Sequence, residues 1–413
     1  MSILSQSDPQ VAQMIRNEEL RQANTLEMIA SENHTSSAVL ETMGTVLTDK
    51  YAEGYPGKRY YCGNENMDAI EQLAIDRAKE LFGCEHVNVQ PHSGTSANIA
   101  VYLAALKPGD KIMGMSLAHG GHLSHGMAIN FSGIFYKVAS YGVEDDSETL
   151  DMDRVREIAL RERPTILVTG ASAYSRIIDF AAFGSIAREV GCLMLADIAH
   201  IAGLIVGGVH PSPVQQAEFV TTTTHKTIRG PRGGTILCRE AWAKKINSAV
   251  FPGIQGGPLM QSIAAKAVAF GECLKPSFKQ YARDVIANAK VLADGLMERG
   301  WRLVSGGTDN HLMVIDLRSR LPETTGRDAA IRLAAAGIIC NWNAIPNDPR
   351  PPLKTSGIRL GTPALTTRGM GAEQMKLVAG WIDRLLTSQD DAEVNAVRAS
   401  VEELCKAYPV PRG

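Results

Sequence analysis

From Asp68 to Leu274 the chain alternates short apolar runs with segments whose apolar residues recur every three or four positions. The runs His86–Gln90, Lys111–Ser116, Ile134–Val138, Thr165–Gly170, Leu193–Asp197, Phe219–Thr223 and Gly234–Cys238 have the length of buried strands. The periodic segments Asp68–Leu81, Ser96–Leu106, Asp153–Arg161, Phe180–Val190 and Met260–Leu274 predict helices. Such alternation predicts an α/β fold, a mainly parallel sheet with helices on both faces. Ligands of these sheets lie beyond the carboxyl ends of the strands.

The pattern changes at either end. Asp8 to Ile29 spaces apolar residues among charges and predicts a helical arm. After the Lys275-Pro276-Ser277 break a long helix, Phe278–Arg299, leads into strands near Leu312–Leu317, Ile338–Cys340 and Gly357–Leu360 and a closing helix over Glu373–Leu386. These shifts divide the chain into an arm (1–25), a large domain (26–275) and a smaller α+β domain (276–413). No internal repeat or low-complexity tract interrupts them.

Three stretches carry candidate chemistry. Thr221-Thr222-Thr223-Thr224-His225-Lys226-Thr227 ends a strand in a lysine before a glycine-rich turn. Taken alone, a lysine at a strand end is an ordinary solvated charge; placed in a ligand cleft it is an amine able to form a Schiff base with an aldehyde, as pyridoxal phosphate (PLP) requires. Upstream, the strand Leu193–Asp197 ends in a carboxylate, suited to keeping a pyridine nitrogen protonated. Asn88 to Asn98 follows a strand with small hydroxyl residues and a glycine and opens a helix, a place where backbone N–H groups and the helix dipole attract phosphate. An ordinary Ser/Thr helix cap has the same composition. In sequence order the three together point to PLP.

Composition narrows the class without naming it. The 413 residues are 45% hydrophobic and 21% charged with a net charge of −2, a globular balance that gives nucleic acid or anionic membrane no electrostatic reason to bind. Seven cysteines are scattered without a C-x-x-C pair, as expected of reduced thiols in a cytoplasmic protein. No run reaches the roughly 20 apolar residues of a membrane span. His119, His122 and His125 share a glycine-rich loop with no carboxylate next to them in sequence, so no metal is expected.

Longer motifs go further. Ile29–Asn33, Lys50–Tyr61, Gln90–Gly94, Leu117–Gly126, Thr221–Lys226 and Ser356–Arg359 resemble those of the serine hydroxymethyltransferase family, fold-type I PLP enzymes, and the likeness extends over nearly the whole chain. The resemblance implies a large domain with a mainly parallel seven-stranded sheet between helices and a smaller α+β C-terminal domain. It also implies that Lys226 forms the internal Schiff base, Asp197 partners the pyridine nitrogen, His122 stacks on the ring and His200 lies near the phenolic oxygen. Ser93, Gly94 and Thr95 would hold the phosphate with Tyr51 and Gly257 of a neighbouring subunit, and Ser172 completes the cofactor set. Ser31 and Arg359 would bind the substrate carboxylate, with Tyr51, Glu53, Tyr61 and His200 beside it. Glu53, His225 and Tyr61 join Lys226 as catalytic candidates; Glu53, Tyr60, Leu117, Gly121, Leu123 and Asn343 would meet the folate.

The activity implied is interconversion of serine and tetrahydrofolate with glycine and 5,10-methylenetetrahydrofolate, in a homodimer, or a tetramer built from it, whose sites are shared across subunits. One region departs from the pattern. The family's bacterial members usually carry lysine where Trp342 stands and serine where Ala344 stands, although Asn343 is kept. The alternative is therefore an α-methylserine hydroxymethyltransferase, or an aldolase that cleaves α-methylserine or another β-hydroxy amino acid without folate.

Overall fold

The computed structural model describes residues 3–412. Its centre is a seven-stranded sheet of β1 (His86–Asn88), β2 (Lys111–Met115), β3 (Lys137–Tyr141), β4 (Ile166–Thr169), β5 (Leu193–Asp197), β6 (Phe219–Thr223) and β7 (Gly234–Cys238). The order across the sheet is β1-β7-β6-β5-β4-β2-β3. Only β7 runs against its neighbours β1 and β6; every other pairing is parallel. β4, β6 and β7 are buried along their whole length, which is why they read as unbroken apolar or threonine runs rather than as alternation.

One strand lies elsewhere than expected. Ile134 belongs to a short helix, Phe131–Phe135, capped by the Asn130 side chain, which accepts from Ser132 N at 3.0 Å. The strand begins at Lys137, pairs Lys111↔Lys137 through Met115↔Tyr141, and stands at the sheet edge, where only Ala139 and Tyr141 are buried. An edge strand half open to solvent lacks the apolar run that marks its neighbours.

The C-terminal part carries a four-stranded antiparallel sheet, in the order β8 (Arg302–Leu303), β9 (Leu312–Asp316), β11 (Gly357–Gly361), β10 (Asn341–Asn343). The strand expected at Ile338–Cys340 is divided: Ile338–Ile339 pairs in parallel with Leu26–Glu27 at the end of the arm, while residues 341–343 join the sheet. The arm itself is mainly one helix, Pro9–Asn24, capped by Asp8. Beyond the helix Ala372–Thr387 lies a further one, Asp391–Ala407, which the sequence reading lacked although Val397, Val401 and Cys405 repeat every four residues on its buried face.

The two largest hydrophobic cores share one helix. Pro276–Met297 places Phe278, Tyr281, Ala282 and Val285 in the core of the large sheet and Ala289, Leu292, Ala293 and Leu296 in the core of the smaller one. Leu26 and Met28 also belong to the second core. Among the described residues no helix is long and apolar enough to cross a membrane.

Candidate active site

The carboxyl ends of β1, β2, β4, β5 and β6 open on one cleft of about 1030 Å³, closed on the far side by Trp342–Ala344, Arg350 and Arg359. Gly170 shows why the strand ends can lie so close. Its φ of +126° is open to glycine, and a Cβ there would stand 2.0 Å from the Asp197 carbonyl oxygen.

Lys226 lies just beyond β6, in a turn closed by Arg229 N donating to the Lys226 carbonyl at 3.1 Å. Asn33 Nδ2 donates to the same carbonyl at 3.0 Å and so ties the lysine turn to the segment carrying Ser31. The Lys226 side chain lines the cleft, and its amine makes no hydrogen bond among the described residues. Burial pulls its pKa down from the usual lysine value to about 8, although the Asp197 carboxylate works against the shift.

Asp197 ends β5 with every oxygen engaged. Oδ2 accepts from Asn98 Nδ2 at 2.9 Å and faces His125 Nε2 at 3.0 Å, and Oδ1 accepts from Ala199 N at 3.1 Å. Burial alone would raise its pKa. The hydrogen bond and charge of His125, with His122 and Asn98, outweigh burial and hold the carboxylate ionised, well below its usual range. Two of the three loop histidines do have a carboxylate at hand in space, though none is next to them in sequence: the ligand atoms of His122, His125 and Asp197 lie within 4.8 Å of one another. Those of His125 and Asp197 already bond each other, His122 Nδ1 sits 2.6 Å from Ser124 Oγ, and His119 turns away to accept from Val143 N.

Ser93 is the N-cap of the helix Gly94–Ala105, its Oγ accepting from Ser96 N at 3.1 Å. The plain reading and the functional one coincide here, because the helix start formed by Ser93, Gly94 and Thr95 also faces the cleft. Gly94 packs against β6, where a Cβ would meet Thr223 Cγ2 at 2.8 Å. On the opposite wall Arg359, on β11, donates from Nε to Asn341 Oδ1 at 3.1 Å and from a terminal nitrogen to the Ser172 carbonyl. Burial lowers its pKa to about 10, so it stays cationic at neutral pH. Ser31, His200 and His225 line the same cleft; His225 Nδ1 is buried with no hydrogen-bond partner among the described residues.

An amine, an ionised carboxylate, a helix N-terminus and a guanidinium around one cleft match an aldehyde, a pyridine nitrogen, a phosphate and a substrate carboxylate. The sequence matches the serine hydroxymethyltransferase family model over residues 4–382. The chain belongs to this family. It is a fold-type I enzyme of the PLP-dependent hydroxymethyltransferase class, a class that uses tetrahydrofolate as co-substrate.

Leu117, Gly121, Leu123 and Asn343, the folate candidates of this family member, share the cleft with Trp342 and Ala344. The remaining candidates do not. Tyr51, Glu53, Tyr60, Tyr61 and Gly257 form a separate surface beside the hairpin of residues 54–55 and 58–59. Tyr51 and Tyr61 meet edge to face at 5.2 Å, and Tyr60 meets Phe251 at 5.5 Å. A Cβ on Gly257 would stand 3.4 Å from the Tyr51 ring, and one on Gly256 would stand 3.2 Å from a Glu53 carboxylate oxygen. Glu53 raises the pKa of the Tyr61 phenol. Buried Arg59 fastens the ribbon from behind, through Asp68 at 2.8 Å, Glu71 at 2.7 Å and the carbonyls of Ala52 and Gly54.

Several neighbours of the site escaped the sequence reading. Asn98 and His125 hold Asp197, and His311 meets His200. Lys266 is fully buried, its ammonium donating to the carbonyls of Val89 at 2.6 Å, Pro91 at 3.1 Å and Gly234 at 2.8 Å, beneath the Ser93 loop. A single lysine inside the apolar helical run Ile263–Phe270 was a readable signal of a buried cation. The others had none.

Proposed function

We propose that this chain moves the hydroxymethyl carbon of serine to tetrahydrofolate, leaving glycine, and catalyses the reverse. The observation that carries the proposal is the convergence of Lys226, Asp197, the Ser93–Thr95 helix start and Arg359 on one cleft. Bound PLP supplies an electron sink for the pair released when the Cα–Cβ bond of the amino acid breaks. Lys226, with its lowered pKa, is the amine that takes the cofactor aldehyde. Asp197 stays ionised and so favours a proton on the pyridine nitrogen, while the helix start at Gly94 offers its N–H groups to the phosphate. Arg359 grips the substrate carboxylate with its free donors, a fork that lysine could not supply.

Glu53, Tyr60 and Tyr61 act in the neighbouring subunit of a homodimer on this reading. Its support is the solvent exposure of Tyr60 and Tyr61 and the absence of all three residues from the lining of their own chain's cleft. Lys226→Ala is expected to lose the visible absorption of lysine-linked PLP together with all transfer activity; a chromophore that borohydride fixes to another lysine would overturn the assignment.

Trp342 favours a second reading. It lines the cleft beside Asn343 and puts a bulky neutral ring where a polyanionic folate tail must pass, which suits α-methylserine as substrate or folate-independent cleavage. L-serine compared with α-methyl-L-serine, each with and without tetrahydrofolate, separates the two readings. Strong preference for α-methylserine would displace the first.

A further inference from the structure

His311 lines no part of the cleft, yet it touches a histidine that does. It is fully buried immediately before β9, and the backbone carrying it is tied down on both sides. Thr308 Oγ1 donates to the Leu312 carbonyl at 2.6 Å, Asn310 Nδ2 donates to the Tyr174 carbonyl at 3.0 Å, and Thr362 N donates to the His311 carbonyl at 3.1 Å. From this fixed position His311 Nε2 lies 3.3 Å from His200 Nδ1, with the two ring planes 26° apart and their centroids separated by 5.5 Å. His311 Nδ1 is buried and has no hydrogen-bond partner among the described residues. His200 faces the cleft, and its Nε2 makes no hydrogen bond among the described residues.

Together these contacts decide where the protons sit. Both rings are neutral: burial lowers the pKa of each, and the nearby cations Lys226 and Arg359 lower it further, His200 well below its usual value and His311 to about 3. A neutral imidazole has one N–H and one lone pair, so a single proton lies between the rings. If His200 Nδ1 held it, His311 would have to carry its own proton on Nδ1, a buried donor with no acceptor. If His311 Nε2 holds it, Nδ1 of His311 is only an unmet lone pair, which proteins tolerate better than an orphaned N–H. The second arrangement places the His200 proton on Nε2.

We propose that His311 is a positioning residue that fixes His200 as its Nε2–H tautomer, making His200 a hydrogen-bond donor to an anionic oxygen held in the cleft. The identity of that oxygen, on cofactor or substrate, rests on the proposed function; the tautomer does not. A histidine held this way cannot act as a general base from Nε2, because that nitrogen has no lone pair to offer. His311 therefore assigns His200 to orienting and stabilising negative charge, and leaves proton abstraction to other groups.

The test reads the tautomer directly. Nitrogen NMR of the full-length chain labelled with 15N-histidine, with and without PLP, should show the His200 proton on Nε2, the signal being assigned by its loss in His200→Asn. His311→Leu should leave His200 a mixture of both tautomers and weaken PLP binding about fivefold, the worth of one hydrogen bond. His311→Gln, whose side-chain amide can donate to Nδ1, should restore the Nε2–H form. A proton on His200 Nδ1 in the unsubstituted protein would overturn the proposal even if the leucine variant failed to fold, as would an unchanged tautomer in a folded His311→Leu. Because the cofactor-free protein gives the same readout, failure of the PLP assignment would show separately, in the Lys226→Ala spectrum.

Discussion

The floor of the cleft and the Tyr51–Tyr61 ribbon are built on opposite terms. On the floor Asp197 is answered within the chain by Asn98, His125 and Ala199 N, and Lys266 by three carbonyls, while the Lys226 amine is left for a ligand. The ribbon presents Tyr51, Tyr60 and Tyr61 at 56%, 73% and 48% exposure, and it is fastened through its backbone by side chains such as Arg59, Asn64 and Lys50. Rigid, desolvated groups suit the binding of cofactor charges that do not change during the reaction. Aromatic groups left at the surface suit a role completed by a second copy of the chain.

The widest separation of the two regions comes from mixing inactive variants. Glu53→Gln should lower transfer by on the order of 10²–10⁴, the range of a lost acid or base, and Lys226→Ala should abolish it. Refolded together, the two should regain part of the activity, because a mixed dimer contains one site with both residues intact. Recovery of none would assign the ribbon to its own chain's cleft and erase the distinction.

Asp197→Asn attacks the floor alone. The amide cannot accept from both Asn98 and His125 without setting its own N–H groups against another donor. We expect turnover to fall by on the order of 10²–10³ and stability by about 1–3 kcal/mol. Steady-state kinetics and thermal unfolding of the same preparation would show both losses. An equal effect from Tyr61→Phe on stability would contradict the contrast.

The pH dependence of cofactor capture is a smaller effect with a definite sign. Lys226 is protonated below its native pKa of about 8, so the rate of PLP uptake by the cofactor-free protein should rise about tenfold per pH unit up to that point and then level off. The unfolded chain keeps this proton up to the ordinary value of 10.5, so the native state binds fewer protons between about 8 and 10.5. Stability contributed through Lys226 therefore increases with pH across that window, and Lys226→Met should flatten the increase. Least of all, Trp342→Lys should lower the KM for tetrahydrofolate by no more than about fivefold, since an exposed charge pair is worth at most about 1 kcal/mol.

The central strands were legible because burial on both faces writes itself as an unbroken run. Leu193–Asp197, Phe219–Thr223 and Gly234–Cys238 have the bounds the pattern predicts. β3 was misread because an edge strand shares the composition of the capped turn before it. The cleft was legible where chemistry sits at strand ends, as at Asp197 and Lys226. It was illegible where partners are distant in sequence, since His125 meets Asp197 across 72 residues and His311 meets His200 across 111. No spacing rule links such pairs; only packing does. The ribbon was visible as a motif, but nothing in its residues says on which side of a molecule they lie.

The helix Pro276–Met297 gives the chain a mechanical unity that its two sheets would not have by themselves. Its first half is a wall of one core and its second half a wall of the other. Melting either core strips one face of this rod, and a helix of 22 residues bared along half its length keeps little helicity in water. The loss would then travel along the rod to the other core. The two bodies thus share their fate: neither can loosen far without the other, and Arg359 on the smaller one keeps its reach to Lys226 and Asp197 on the larger for as long as the rod stays whole.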